Sequence, residues 1–555
     1  MDNESTLYPP SEKTPHSGIT RRNVIKAGAA MGACAGAAGI LGCQSEKPKE
    51  KKAEAPTDAK DTLTIFVGED FEEGFDPLTS EYNSNGMFNV FHSYLLKFDN
   101  NAKIVPDLAE SFKVSEDGLT YTYTLKKGIK FSDGSPLTAE DVAFSYLTIR
   151  DNGAGQIDFK AIADAKALNE TTVEFKLKRR DSSFVTRTAK LGIVPKKGYA
   201  AKDYRMNPIG SGPFKMVKYE PGQQLIVEPN PQYYGKKSQF KRITFLFLSN
   251  ETALAHAQSG KLDVVMVQPE YAKEKVAGMH LVTLPTIDTR GFHLPTFAPK
   301  KIDGKEYGNP VTADIAVRKA LNIGINRKEI VEHSLNGIGT PATALLHNMP
   351  WANPAAEFKD GRLEEAKKIL EDAGWKLNKD GIREKNGTLC AFNMLGISSD
   401  MQRYDIAVGV AEQAKKLGIK ITPKAYGWKQ ARTLTPTTPL CWGTGDYDPS
   451  GDLVGYFGSK GSINDARYSN PTVDKHIEEA LDAKTNEEAY EIWKKVQWDG
   501  KTGPESENGD LPYLWIVTIN HTYFVKDDLD IGKQLVHPHG HGWPVAFNLS
   551  EWKRK

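Results

Sequence analysis

The stretch CWGTGDYDPSGD, Cys441 to Asp452, sets three carboxylates, Asp446, Asp448 and Asp452, just after a tryptophan, Trp442. Carboxylates this close can hold a metal ion, a ligand's positive end, or the N–H groups of their own turn. As a calcium loop the stretch begins well, with Asp446, Asp448 and Ser450 at positions one, three and five and Gly451 at six. It then fails, because position twelve is Phe457 and not a bidentate glutamate. An Asp/Gly/Pro turn that caps itself is the plainer reading. Trp428 and Arg432 stand shortly before it. An arginine there can take a carboxylate or simply be solvated.

The other candidate chemistry is thinner. In HPHGHG, His537, His539 and His541 alternate, so two imidazoles could reach one metal. Metal sites usually draw ligands from several segments, and a Gly/Pro-rich surface turn is the expectation. The chain has no HExxH, GxSxG, CxxC or GxxxxGK[ST]. No nucleophile–base constellation is visible, so an exported hydrolase is the weaker class, and no cofactor or metal is called for. Cys390 and Cys441 could pair in an oxidising compartment or stay apart as buried thiols.

Size and charge set the bounds. The 555 residues suffice for two to four domain-sized units. Apolar residues make up 39% and charged residues 26%, as in a soluble globular protein. Lys plus Arg is 72 and Asp plus Glu is 71, with no basic face of the kind nucleic acid needs. Nothing after residue 60 is apolar for the roughly 18 residues of a membrane span.

The N-terminus reads as an address. TRRNVIK, Thr20 to Lys26, resembles a twin-arginine export signal, and Ala27 to Gly42 suits a signal-peptide apolar core. ILGC, Ile40 to Cys43, resembles a bacterial lipoprotein cleavage box, which implies that Cys43 becomes the lipidated first residue of the mature protein. The charged, Pro-containing stretch that follows cannot bury a core and reads as a flexible tether, residues 43–61.

The body alternates strands and helices. LTIFVG, Leu63 to Gly68, is a short strand, and Tyr121–Leu125 followed by KKG and IKF is a hairpin signal. TAED, Thr138 to Asp141, is a capping box for a helix to about Ile149, and NRKE, Asn326 to Glu329, follows the same logic. Helices are expected over 314–325, 362–373, 404–417, 473–483 and 487–497, and strands over 243–247 and 262–267.

Five ordered stretches carry a resemblance: GLTYTYTLKKGIKFSDGSPLTAEDVAFSY (Gly118–Tyr146), PIGSGPFKMVKYEPGQQLIVEPNPQYYG (Pro208–Gly235), ETALAHAQSGKLDV (Glu251–Val264), VRKALNIGINRKEIV (Val317–Val331) and AKKILEDAGWK (Ala366–Lys376). By these the chain resembles the peptide/nickel family of periplasmic solute-binding proteins of ABC importers. The resemblance implies an α/β fold of two hinged lobes with a ligand cleft between them and a third, extra domain. Lobe I would comprise 62–98, 204–288 and 520–555, the extra domain 99–203, and lobe II 289–519. It implies a monomer in the periplasm or at the cell surface, no nucleic acid, and two partners: a short peptide, or a small metal chelate, and a membrane permease.

It also implies site residues. A tryptophan followed by an acid grips a peptide's α-ammonium in this family, which maps onto Trp442 and Asp446, with Tyr447 beside them. The acid usually stands three after the tryptophan, where this chain has Gly445. EYNSNGMFNVF, Glu81 to Phe91, resembles the opening segment of the nickel-binding members, which maps Tyr82 and Met87 onto the pocket. Their histidine three before the tryptophan is Pro439 here.

Overall fold

The computed structural model describes residues 59–68, 70, 74–79, 87–152, 157–539 and 543–555. The expectations for residues 1–58, Cys43 among them, and for Tyr82 and His541 lie outside the described residues.

The first lobe is built on a seven-stranded sheet. Its order is Met279–Leu284, His521–Lys526, Val264–Val267, Thr62–Phe66, Arg242–Leu246, Gln224–Pro229 and Phe214–Glu220. Thr62–Phe66 runs parallel to both its neighbours, and the remaining pairs are antiparallel. TLTIF turns Leu63 and Ile65 into the core, where they meet Phe245, Val264 and Tyr523. Burial of that apolar row is what fixes the register.

The extra domain is a four-stranded antiparallel sheet, Ala109–Val114, Thr120–Leu125, Thr172–Leu177 and Ile162–Asn169, covered by the helix Ala139–Asn152. TYTYTL buries Tyr121, Tyr123 and Leu125 and leaves its threonines half-buried. The expected hairpin with IKF does not form. The strand pairs instead with Ala109–Val114 and Thr172–Leu177. Lys130 closes a smaller loop on Pro136 across SDGSP. The capping box is present: the Thr138 N–H and hydroxyl donate to Asp141 Oδ2 at 2.8 and 3.0 Å.

The second lobe holds a four-stranded sheet in the order Thr340–Pro341, Tyr513–Thr518, Thr289–His293 and Cys441–Thr444, and a parallel pair, Ala391–Ile397 with Lys420–Tyr426. Its helices fall where the apolar periodicity puts them: Ile315–Gly324, Arg327–Ser334, Leu363–Asp372, Met401–Lys415, Pro471–Leu481 and Asn486–Gln497. Asp314, Asn326 and Thr485 cap three of them through side-chain oxygens. Cys390 and Cys441 are free thiols in this core, and burial pushes each up to about 12.

The chain passes between the two large sheets at two places, Pro285–Asp288 and Ile519–Asn520. The crossings are bonded to each other. Ile519 N–H donates to Asp288 O at 2.9 Å, and the Thr286 hydroxyl donates to Ile519 O at 2.5 Å.

One buried acid in the second lobe carries a pH consequence. Glu505 is 2% exposed, and one oxygen accepts the Leu345 N–H at 2.6 Å. Burial pushes its carboxyl up to about 8 against that hydrogen bond. The folded state therefore keeps a proton that the unfolded chain releases near pH 4, and the stabilisation this gives is lost as pH rises through about 8. Glu505→Gln removes the slope. Between pH 5 and 9 the wild type should lose on the order of 3 kcal/mol relative to the variant, measured by denaturant unfolding. Parallel curves for the two proteins would refute the assignment.

Candidate functional site

The strand Cys441–Thr444 is the outer strand of the second-lobe sheet, and the acidic turn follows it. All three carboxylates of that turn are engaged inside the protein. Asp448 caps the helix Pro449–Phe457, accepting the Ser450 N–H at 3.0 Å. Asp452 accepts the Asp446 N–H at 3.0 Å and the Thr444 hydroxyl. Asp446 accepts the Asp448 N–H at 3.0 Å with one oxygen and the Lys190 ammonium with the other. The self-capping reading of the stretch thus holds for its backbone, and a lysine from the extra domain holds its foremost acid.

Arg187 completes the cluster. Its Nε donates to Asp448 Oδ2 at 2.9 Å, Nη1 to Asp181 Oδ2 at 2.6 Å and to Asp158 O at 2.8 Å, and Nη2 to Ser450 Oγ at 2.6 Å. Burial raises the carboxyls of Asp446 and Asp452, the latter to about 7 with the neighbouring Asp446 charge adding to it. Burial acts on Asp448 too, but Arg187 and Lys190 outweigh it and hold that acid below its usual range. Around the Lys190–Asp446 pair lies a cavity of about 40 Å³ walled by Tyr94, Phe98, Leu535, Trp543 and Phe547. Tyr447 faces this wall, its ring 4.6 Å from Phe98 and its hydroxyl donating to Val536 O.

The glycines of the stretch have steric reasons. A Cβ on Gly443 would stand 2.7 Å from Arg290 Nε and 2.7 Å from His539 Cε1. A Cβ on Gly445 would run into the Ile287 carbonyl of the first crossing. An acid three residues after Trp442 has no room here, so the departure from the expected spacing is built into the hinge.

Three of the remaining candidates form a separate group around Trp442. Trp428 and Trp442 stack with centroids 5.8 Å apart at 30°. The Arg432 guanidinium stands 5.7 and 5.9 Å from the two rings, and Arg403 stands 5.0 Å from Trp428. Cation–π attraction fixes such a shelf. Arg403 is buried and committed, donating to Asp400 Oδ2 and Cys441 O, each at 2.8 Å. Arg432 is exposed and has no carboxylate partner among the described residues. Met87 opens a short 3₁₀ turn, Met87–Val90, in the first lobe.

The histidines correct the expectation of a surface turn. His537 and His539 are buried. The segment lies along the first crossing, with His537 N–H donating to Pro285 O at 3.0 Å and Ile287 N–H to His537 O at 2.9 Å. His537 Nδ1 meets His521 Nδ1 at 3.0 Å, and His539 Nδ1 stands 2.8 Å from Asp288 Oδ1. Burial, then the neighbouring His521, holds His537 well below the usual imidazole range. Among the described residues no three His, Cys, Asp or Glu side chains are placed to hold a metal ion.

A second opening lies at the far edge of the same sheet. A cleft of about 980 Å³ is lined by Thr286, Ile287 and Asn520 of the crossings, Lys103 of the extra domain, and Thr340, His347, Trp351 and Tyr490 of the second lobe.

The sequence reading brought Trp428, Arg432 and Trp442 to one place, and set Asp446 and Tyr447 with them, which the structure does not. It missed Arg187, Lys190, Asp288, Arg290, Asp400 and Arg403. The visible signal was weak: two cations one turn apart in FVTRTAKLGIV, where apolar neighbours demand that they be buried.

Comparison with known proteins gives the family. Residues 103–464 match the family model for bacterial extracellular solute-binding proteins, family 5. Protein XP55 of Streptomyces lividans is 30% identical over 90% of this chain and 91% of its own. The oligopeptide-binding protein AppA of Bacillus subtilis is 28% identical over 94% of this chain and 96% of its own. Its structure with a nonapeptide superposes at a TM-score of 0.69 over 89% of this chain and 99% of that one, at 26% identity. NikZ of Campylobacter jejuni, solved with Ni(L-His), superposes at 0.76 over 89% and 100%, at 24% identity. With two sheet-based lobes joined by two crossings and these relatives across nearly its whole length, the chain belongs to family 5 of the bacterial extracellular solute-binding proteins and is a binding protein, not an enzyme.

Proposed function

We propose that the mature protein is a monomer anchored outside the cytoplasm through a lipid on Cys43, and that it captures short peptides for an ABC permease. The lobes would be 62–98 with 204–288 and 520–555, carrying the extra domain 99–203, and 289–519. Closure about the two crossings would trap the solute, binding shifting an open–closed equilibrium.

One observation carries this reading: an outer strand, Cys441–Thr444, flanked by a stacked tryptophan pair and an exposed arginine. An extended peptide can add to such an edge through main-chain hydrogen bonds. Arg432 then takes its terminal carboxylate while the Trp442 and Trp428 faces cover the backbone. Tyr82 and Met87 would close from the first lobe. Asp446 serves differently from the residue it resembles. An incoming ammonium would have to displace Lys190 from an apolar enclosure, which leaves a buried charge uncompensated. Recognition therefore rests on the carboxylate end. A metal chelate rich in carboxylates fits the same shelf and is the second reading, favoured by the cationic character of Arg432.

Native mass spectrometry of the exported full chain, before and after mild unfolding, tests this. Released masses of a few hundred daltons that fragment as peptides are expected. A single metal isotope pattern would move the reading to chelates, and release of neither would overturn both.

Arg432→Gln should weaken binding of a carboxylate-ended peptide about tenfold, or ~1.4 kcal/mol, and leave its amidated form unchanged. Isothermal titration against both forms checks it. Exchange footprints decide the seat: protection over 428–444 supports the shelf, and protection over 340–359 places the solute in the larger cleft.

A further inference from the structure

The two lobes meet a second time, away from the hinge. Segment 181–190 of the extra domain is tied to the first lobe, where Ile193 N–H donates to Ser93 O at 3.1 Å and Leu96 N–H to Thr188 O at 3.4 Å. Its other side rests on the second lobe. Ser182 N–H donates to Leu481 O at 2.9 Å and its hydroxyl to Ala480 O at 2.8 Å, at the C-terminal end of the helix Pro471–Leu481. Arg179–Glu478 at 2.6 Å and Arg180–Asp482 at 3.6 Å are exposed rim pairs of little worth. The inner pairs differ. Arg187 with Asp448 has side chains 9% and 4% exposed, and Lys190 with Asp446 has them 6% and 17% exposed.

We propose that Arg187 and Lys190 form an interlobe clasp, by which the protein's own charges hold the closed arrangement before any solute arrives. The proposal rests on the two-lobed hinge and not on what the solute is.

The charge distribution leads there. The second lobe carries Asp446, Asp448 and Asp452 within one turn and, among the described residues, no cation of its own bonded to them. Both cations that neutralise them come from the other lobe. On opening, the three carboxylates would return to water and the two cations would do the same. Desolvation on closing opposes the Coulomb gain, and for buried pairs the two nearly cancel. A clasp of this kind therefore leaves a small gap between open and closed forms, which a solute can tip. Removing one partner acts far more strongly than removing both, because a single buried charge is left without its counterion.

Amide hydrogen exchange of the full chain, stripped of co-purified solute by unfolding and refolding, tests the clasp. The Ser182 amide reports directly, since its acceptor is on the other lobe. In the wild type it should be protected without solute. Lys190→Met and Arg187→Met should each raise its exchange by about tenfold or more, and Lys190→Met with Asp446→Asn should recover at least part of the protection. A stripped wild type whose Ser182 amide exchanges unhindered overturns the clasp, whether or not any variant folds. So does a Lys190→Met protein with unchanged exchange, or a double variant no better than the single one.

Discussion

Asp288 is the residue on which the arrangement of the two lobes turns. Its carboxylate is fully buried at the end of the first crossing, and burial alone would protonate it. The charge of Arg290, with His539 and His521 hydrogen-bonded to it, overcomes that and holds it well below the usual carboxylate range. Arg290 grips both its oxygens at 3.1 Å and reaches on to Asp400 Oδ2 at 2.8 Å. Asp400, brought to about 2 by Arg290 and Arg403 against burial, passes the contact to Arg403, and Arg403 ends on the Cys441 carbonyl. A continuous line of charges thus runs from the hinge to the outer strand and to the underside of the tryptophan shelf. Deleting one member would strand its partner in the interior, a loss of roughly 3–5 kcal/mol.

This line explains why a hinge is made of ions. Apolar packing is non-directional and tolerates small slips. Alternating guanidinium and carboxylate groups accept one geometry, because each fork has a fixed direction. The crossings are only a few residues long, so they cannot by themselves set where the outer strand lies. Gly443 and Gly445 show the result: the strand passes so close to Arg290, His539 and the Ile287 carbonyl that no Cβ fits. The buried histidines serve the same end, since the His537 segment pairs along the first crossing as a further strand would.

What was legible in the sequence is what local chemistry decides. Thr138 and Asp141 are three residues apart and cap one helix, and the apolar face of RLEEAKKILEDA needs no knowledge of its partner. The lobes were legible through ordered motifs, not through periodicity. The illegible part is long-range. Lys190 and Asp446 are 256 residues apart, and nothing in either neighbourhood names the other. The Tyr121–Leu125 strand showed its own alternation but not which of several apolar rows it would pair with. HPHGHG looked like a turn because glycine and proline suggest one. Its burial follows from backbone pairing with Pro285 and Ile287, about 250 residues upstream, which composition does not encode.

The charges near the acidic turn divide by what they can still do. A group that is buried and fully bonded recognises nothing without first losing a partner, and that loss is large. Asp446, Asp448, Asp452, Arg187 and Arg403 all stand in that condition, and they position the backbone. Arg432 is exposed, held in place by two aromatic faces and not by a carboxylate, so its donors remain available. The same residue types therefore serve opposite ends. Counterions close the frame, whereas Arg432, stacked on two rings, has no carboxylate partner among the described residues. On the function proposed above, a chain that resembles ammonium binders at Asp446 would place its point of recognition on an arginine instead of an acid.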